Sequence, residues 1–143
     1  MMLDVKNPFD LSTIKELKQH SDADAQQMLS RASALFSDRS AWMKPYQRAA
    51  VLERLWQKLS PRAEELALAA SQEGGKPLID SRVEITRGLG GIRLAIENIA
   101  QLRGEHVPME LNPASMGRLA FTRLEPRGVV VSLSAFNHPF NLI

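Results

Sequence analysis

The chain has 143 residues, enough for one domain with its own hydrophobic core. Hydrophobic residues make up 44% and charged residues 24% of the chain, values close to globular averages that argue against a disordered or fibrous protein. The formal net charge is only +2, with Lys and Arg interspersed among Asp and Glu, which argues against a nucleic-acid partner. The absence of Cys excludes a disulfide, a thiolate metal site and a cysteine nucleophile within these residues.

The N-terminal segment, residues 1–20, carries neither a targeting nor a membrane pattern. It lacks a basic region followed by an apolar run, and no stretch of the chain approaches the ~20 apolar residues that a membrane span needs. We therefore expect a cytoplasmic protein with no membrane partner. Turn-forming residues and weak periodicity predict an extended arm in this segment, with a short strand or turn.

Four segments with apolar residues at helical spacing follow the arm. The first starts behind the capping candidates Ser21 and Asp22, and the second starts near Pro45, a favourable first-turn residue. The third ends at Gly74 and Gly75, since glycine commonly follows a helix end. The fourth is the longest, and its apolar face, which we expect to be buried, consists of Ile85, Leu89, Ile92, Ile96 and Ile99.

Three glycines, Gly88, Gly90 and Gly91, interrupt the fourth helix. In a helix interior each costs about 1 kcal/mol relative to Ala. Either a neighbouring element packs very closely there or the helix bends, and the sequence leaves both open.

The C-terminal part of the chain changes to strand patterns. Residues 117–124 alternate between apolar and polar and predict a half-exposed strand, and residues 125–128 predict a turn. The apolar run at residues 129–133 is typical of a parallel strand covered on both faces, and Pro139 opens a further helix. The fold class predicted from this order is α/β.

The predicted sheet is incomplete within the chain. A parallel strand needs a crossover of about a dozen residues and a following strand, whereas only ten residues follow Leu133. A long apolar strand without neighbours leaves backbone groups unpaired and invites aggregation. We therefore interpret the chain as part of a larger protein.

Asn137 lies in the loop behind the predicted buried strand, where ligands of open α/β sheets bind. Its side-chain amide offers two donors that do not titrate, which suits it to stabilise an oxyanion in a water-poor site. Alternatively, Asn137 caps the helix that starts at Pro139. The residue types by themselves leave both roles open.

Two longer segments resemble the aldehyde dehydrogenase family. The string EPRGVVVSLSAFNHPFN, residues 125–141, resembles the family signature of a strand after E-P-x-G and a loop with an aromatic residue, Asn, a variable residue and Pro. The string RAAVLERLWQKLSPRAEELALAASQEGGKP, residues 48–77, resembles the second and third helices of the family, which end in E-x-G-K-P, and the early NPF resembles its opening N-P. The resemblance spans almost the whole chain, in order and at the expected spacing. Phe136 and His138 depart from the usual Trp and the frequent Phe.

The resemblance implies oxidation of a small aldehyde to a carboxylic acid with NAD or NADP through a Cys thioester. Asn137 matches the asparagine that stabilises the oxyanion. The stretch that lies against the nicotinamide side of the cofactor matches Leu133, Ser134, Ala135 and Phe136. The catalytic Cys and Glu of the family, its cofactor-binding Lys and its glycine-rich helix start lie beyond Ile143, so the isolated chain is expected to be inactive.

The resemblance also implies a domain organisation. Residues 1–20 are the N-terminal arm and residues 21–116 the helical part of a Rossmann-like cofactor-binding domain that is incomplete in this chain. Residues 117–124 match the strand that bridges subunits, and residues 125–143 match the first parallel strand and the loop with the catalytic Asn. A homo-oligomer, a dimer or a tetramer, is expected for the full-length protein.

The remaining candidates favour less specific roles. His138 meets a polar or anionic substrate, or it is a cap or a surface residue. Lys76 is expected to be solvated, because no strand precedes Gly74 and Gly75 as a phosphate loop requires. His20 and His106 have no second ligand at metal spacing, so no metal site is predicted.

Two other function classes remain as alternatives. The chain could be a non-catalytic helical interaction module that pairs with a partner through an exposed strand. A basic nucleic-acid binder is the least favoured, since the positive charges are dispersed.

Overall fold

The computed structural model describes residues 2–143. The chain begins with two antiparallel strands, β1 (Met2–Lys6) and β2 (Thr13–Lys18), in which Leu3 lies opposite Leu17. Asn7 closes the turn between them, because its Oδ1 accepts the Phe9 N–H at 2.9 Å. The predicted arm is therefore a β-hairpin.

Four α-helices follow: α1 (Asp22–Ser37), α2 (Pro45–Leu59), α3 (Ala63–Gly74) and α4 (Leu78–Asn98). Short 3-10 helices lie at Arg39–Ala41, Ser60–Arg62, Ile99–Gln101 and Pro113–Ser115. No helix within residues 2–143 has the length and apolar character that crossing a membrane requires.

The predicted ends of α1, α2 and α3 are confirmed. Ser21 caps α1 through a capping box, in which its Oγ accepts the Asp24 N–H at 3.2 Å and Asp24 Oδ2 accepts the Ser21 N–H at 2.8 Å. Pro45 occupies the first turn of α2. Gly75 ends α3 in the left-handed region with φ 66°, and its N–H donates to the Ser71 carbonyl at 2.9 Å.

The core forms where α4 packs against α2 and α3. Ala67 and Ala70 of α3 and Ile85 of α4 are its buried apolar residues, and the small alanine side chains allow the two helices to approach closely. The predicted apolar face of α4 points inwards, but only Ile85 is fully buried, while Leu89, Ile92, Ile96 and Ile99 are half-buried.

Close packing, and not a bend of α4, accounts for the glycine at position 88. A Cβ added to Gly88 would overlap the Phe140 ring, whereas a Cβ at Gly90 or Gly91 would meet nothing within 4 Å. The helix is continuous through this region. Close packing by the C-terminal segment therefore explains Gly88, and nothing in the structure explains the other two glycines.

The C-terminal strands differ from the prediction. β3 (His106–Val107) and β4 (Ala120–Phe121) form a short antiparallel pair, so only two residues of the predicted strand 117–124 belong to a ladder. The predicted strand at 129–133 is wrong for this structure, because no strand within residues 2–143 lies beside it to supply hydrogen bonds. The helix predicted at Pro139 is reduced to a turn, in which the Leu142 N–H donates to the His138 carbonyl at 3.1 Å.

Candidate functional site

The candidate site is the loop of residues 134–141, which packs on the first half of α4. Phe140 lies against Gly88, where the missing side chain leaves room for the aromatic ring. Within the loop, Ser134 Oγ donates to the Pro139 carbonyl at 2.9 Å. The loop contains turns but no helix or strand, and side chains from other elements also bind its backbone.

Glu84 of α4 supplies the largest part of this fixation. Its side chain is fully buried, and its Oε1 accepts the Phe140 N–H at 2.7 Å and the Asn141 N–H at 3.3 Å. Its Oε2 accepts a hydrogen bond from Lys76 Nζ. One buried carboxylate therefore binds two consecutive backbone amides of the loop and one ammonium group.

Lys76 holds the loop from the other side. Besides its ion pair with Glu84, its Nζ donates to the Asn137 carbonyl at 3.0 Å. The Lys76 side chain is only 17% exposed, so the expectation that it is solvated is wrong. The Lys76 backbone is itself fixed, because Ser71 Oγ donates to the Lys76 carbonyl at 2.7 Å.

The acid–base state of Glu84 follows from these contacts. Burial is the largest single influence and raises the pKa of the Glu84 carboxyl. The hydrogen bonds from Lys76, Phe140 and Asn141, with the positive charge of Lys76, together outweigh burial and hold that pKa below its ordinary value of 4.5. Glu84 is therefore ionised at neutral pH.

Asn137 is exposed, and none of the side-chain hydrogen bonds within residues 2–143 uses its amide group. A capping side chain would accept a backbone N–H two or three residues further on. The Phe140 N–H, the corresponding donor, is bound by Glu84 instead. The structure thus places the Asn137 amide in a position where it is free to meet a ligand.

His138 is half-buried beside the same carboxylate. Its Nδ1 is a buried atom with no hydrogen-bond partner in residues 2–143, and it lies 3.8 Å from Glu84 Oε2. His138 therefore belongs to the charged cluster under the loop.

A cavity of about 460 Å³ opens beside the loop and is lined by Lys76, Asp80, Val83, Arg87, Asn137 and His138. It brings the predicted Asn137 together with the side chains of Lys76, Arg87 and His138. A larger apolar cavity of about 540 Å³, between the end of α1 and residues 124–126, contains none of the predicted site residues.

The four residues matched to the cofactor-binding stretch, Leu133, Ser134, Ala135 and Phe136, run along the outside of the molecule. Leu133 is 88% and Phe136 91% exposed. No backbone hydrogen bond within residues 2–143 involves this stretch. Its amide and carbonyl groups are therefore open to a ligand.

Sequence reasoning missed Glu84 and assigned Lys76 the wrong environment. One signal was present: Glu84 precedes Gly88 by one helical turn and is adjacent to Ile85, so an acidic residue borders the predicted buried face. Such a carboxylate, placed beside a glycine gap, indicates a buried partner. No cluster of three His, Cys, Asp or Glu side chains suited to a metal ion occurs in the described part of the chain.

Comparison with known proteins identifies the family of this chain. The family model described as the aldehyde dehydrogenase family matches residues 1–143. A lactaldehyde dehydrogenase of Methanocaldococcus jannaschii is 31% identical over 140 residues, covering 98% of this chain and 29% of the relative. A 3-sulfolactaldehyde dehydrogenase of Priestia megaterium is 38% identical over 99 residues, covering 69% of this chain and 21% of the relative.

Solved structures agree. Aldehyde dehydrogenase 21 from Physcomitrella patens, in complex with the reaction product succinate, has a TM-score of 0.92 and 32% identity, and covers 99% of this chain and 29% of that structure. A glyceraldehyde-3-phosphate dehydrogenase from Methanocaldococcus jannaschii, complexed with NADP, has a TM-score of 0.86 and 31% identity, with 98% and 29% covered. The chain thus spans less than a third of the length of these proteins.

Proposed function

The chain belongs to the aldehyde dehydrogenase family, and on that basis we propose that it is part of an enzyme that oxidises an aldehyde to a carboxylic acid with NAD or NADP. The α/β fold of the chain is that of the corresponding part of these enzymes, as expected from the sequence. The observation that carries the proposal beyond family membership is the free amide of Asn137 beside a cavity, in a loop fixed by Glu84 and Lys76. The family match favours an enzyme over a non-catalytic interaction module.

Asn137 is proposed to stabilise the oxyanion. When a thiolate attacks the aldehyde carbon, the carbonyl π electrons move onto oxygen, and a neutral amide donor lowers the energy of the resulting negative charge. The amide needs no change of protonation to do so. The thiolate must come from a part of the enzyme outside these 143 residues, because the chain contains no Cys.

Leu133, Ser134, Ala135 and Phe136 are proposed to lie against the nicotinamide end of NAD or NADP. Their open backbone groups and the exposed faces of Leu133 and Phe136 fit a flat, amphipathic ligand. When bound, the cofactor accepts the hydride that the substrate carbon releases. The residues of this chain contribute an apolar surface and backbone donors that orient it.

The cavity beside Asn137 supports a substrate class, an aldehyde that carries an acidic group. Arg87 makes no ion pair with an acidic side chain in residues 2–143, and it lines the cavity together with His138. Asp80 also lines this cavity and contributes a negative charge to it. Two similar proteins, a 3-sulfolactaldehyde dehydrogenase and an aldehyde dehydrogenase in complex with its product succinate, act on or form compounds with such a group.

The domain organisation is part of the proposal. Residues 21–116 are the helical part of the cofactor-binding domain, residues 125–143 the segment that carries the Asn137 loop and pairs as a strand only beside a neighbour outside this chain, and residues 117–124 the segment that bridges subunits in a homo-oligomer. The exposed side chains of Leu119 and Phe121 support a covered role for that bridging segment in the assembled enzyme.

The test is to express the intact reading frame and to follow NADH or NADPH formation with acidic and neutral short aldehydes. We expect cofactor reduction that an alkylating reagent abolishes, because the nucleophile is a thiolate. The isolated 143-residue chain is the matched control and should form no reduced cofactor. An intact protein that reduces neither cofactor with any aldehyde would contradict the proposal.

A further inference from the structure

We propose that Lys76 and Glu84 are positioning residues for Asn137, which set the orientation of its amide through the backbone of the loop. This inference rests on the proposed oxyanion role of Asn137. Both residues act without touching the substrate, through three hydrogen bonds to the backbone of residues 137–141.

The contacts fix the loop at both ends of the turn that carries Asn137. Lys76 Nζ binds the carbonyl of Asn137 at 3.0 Å, which fixes the peptide plane directly after its Cα. Glu84 Oε1 binds the Phe140 N–H at 2.7 Å and thereby anchors the chain three residues later. Since both anchors come from α4 and the residues directly before it, the helix sets the position of the Asn137 amide.

The two anchors also depend on each other. The fully buried Glu84 carboxylate requires a counter-charge, and Lys76 supplies it while donating to Asn137. Removing the ammonium group would leave a buried charge and a loop held at one end. Misplacement of a reacting group by about 1 Å can lower a rate about a hundredfold.

The test uses the intact enzyme and a double-mutant cycle. Lys76→Met keeps the length of the side chain and removes its charge and donors. We expect the single-turnover rate of reduced-cofactor formation to fall about ten- to a hundredfold with acidic and neutral aldehydes alike, with little change in KM. In the Asn137→Ala background, Lys76→Met should cause almost no further loss, because its effect runs through Asn137.

A second variant separates positioning from folding. Lys76→Met combined with Glu84→Gln removes the unpaired buried charge and keeps an acceptor for the Phe140 N–H, so the melting temperature should recover while the rate stays low. The control Arg82→Met removes an exposed ion pair between α4 and Glu64 of α3 that makes no hydrogen bond to the loop and does not line the cavity, and it should leave the rate unchanged.

The outcomes distinguish the two proposals. If Asn137→Ala keeps the full rate, the oxyanion role itself is wrong. If Asn137→Ala loses rate but Lys76→Met does not, or if Lys76→Met costs the same factor in both backgrounds, the positioning role is overturned. A rise in KM confined to acidic aldehydes would also overturn it, since Lys76 would then bind the substrate directly.

Discussion

Glu84 accepts the backbone N–H of Phe140 at 2.7 Å, across 56 positions of sequence, and so occupies the donor that a cap from Asn137 would need. The carboxylate of Glu84 in α4 thus accepts the backbone N–H that a capping side chain within the turn would otherwise accept. The Asn137 side-chain amide therefore makes no hydrogen bond within residues 2–143.

Asn137→Ala in the intact enzyme should reduce the rate of reduced-cofactor formation by about a hundred- to a thousandfold, as the loss of other oxyanion donors does. The melting temperature should change little, because Asn137 makes no capping bond. Stopped-flow fluorescence at saturating substrate measures the rate, and calorimetry measures the melting temperature.

Asn137→Asp provides the control. A carboxylate still caps a helix well but repels an oxyanion, so the variant should retain the fold and lose the rate. A variant with Asp that works nearly as well as the wild type would return Asn137 to the role of a cap, whose loss costs about 1 kcal/mol.

Glu84 should make stability depend on pH. Its pKa is lower in the folded state than in the unfolded chain, so its contribution is fully present above the unfolded pKa and is lost as the pH falls through the folded pKa. Glu84→Gln should therefore melt below the wild type at pH 7, and the two melting temperatures should converge as the pH falls through the folded-state pKa, which lies below the ordinary value of 4.5. Lys76 and His138 are the basic groups that face Glu84.

The exposed Glu53, which pairs with Arg93 at the surface, is the matched position for comparison. Glu53→Gln should give a small difference from the wild type at every pH. A Glu84→Gln variant with a constant melting difference between pH 7 and pH 3 would argue against the buried ion pair.

The helices were predictable from sequence because their signals are local. Ser21 and Asp24 form a capping box within four residues, and Gly75 adopts the left-handed conformation directly behind α3. The loop around Asn137 could be located by its resemblance to a family motif.

The supports of that loop could not be predicted in the same way. Lys76 and the Asn137 carbonyl are 61 positions apart, and only the tertiary packing of the loop on α4 brings them together. The strand expected at residues 129–133 failed for a related reason. Its apolar pattern describes a covered strand, but a strand also needs a hydrogen-bonding neighbour, and none lies within residues 2–143.

Gly88→Ala and Gly90→Ala should act in opposite directions. Alanine at Gly90 meets open space and gains helix propensity, so it should stabilise the protein by up to about 1 kcal/mol. Alanine at Gly88 would overlap the Phe140 ring and should displace the loop, lowering both the melting temperature and the rate. Calorimetry and steady-state kinetics on the two variants measure this, and equal behaviour of both would show that Phe140 does not pack on Gly88 in solution.

Arg87 should determine the preference for acidic aldehydes. Its guanidinium lines the cavity beside Asn137 and has no ion-pair partner in residues 2–143, so an acidic group on the substrate would gain a charge-assisted hydrogen bond there. Arg87→Ala should raise the KM for sulfoacetaldehyde or succinic semialdehyde about ten- to a hundredfold, equivalent to the about 1.5–3 kcal/mol of a hydrogen bond to a charged group, with kcat largely kept.

For a neutral aldehyde of similar length, such as butanal, the same substitution should leave KM unchanged, because no charge is there to be bound. Arg93→Ala, which removes another exposed arginine of α4 away from the cavity, is the control and should alter neither constant. If Arg87→Ala raises the KM of acidic and neutral aldehydes equally, the arginine shapes the cavity but does not bind the acidic group of the substrate. A preference for neutral aldehydes in the wild-type enzyme would contradict the proposed substrate class itself.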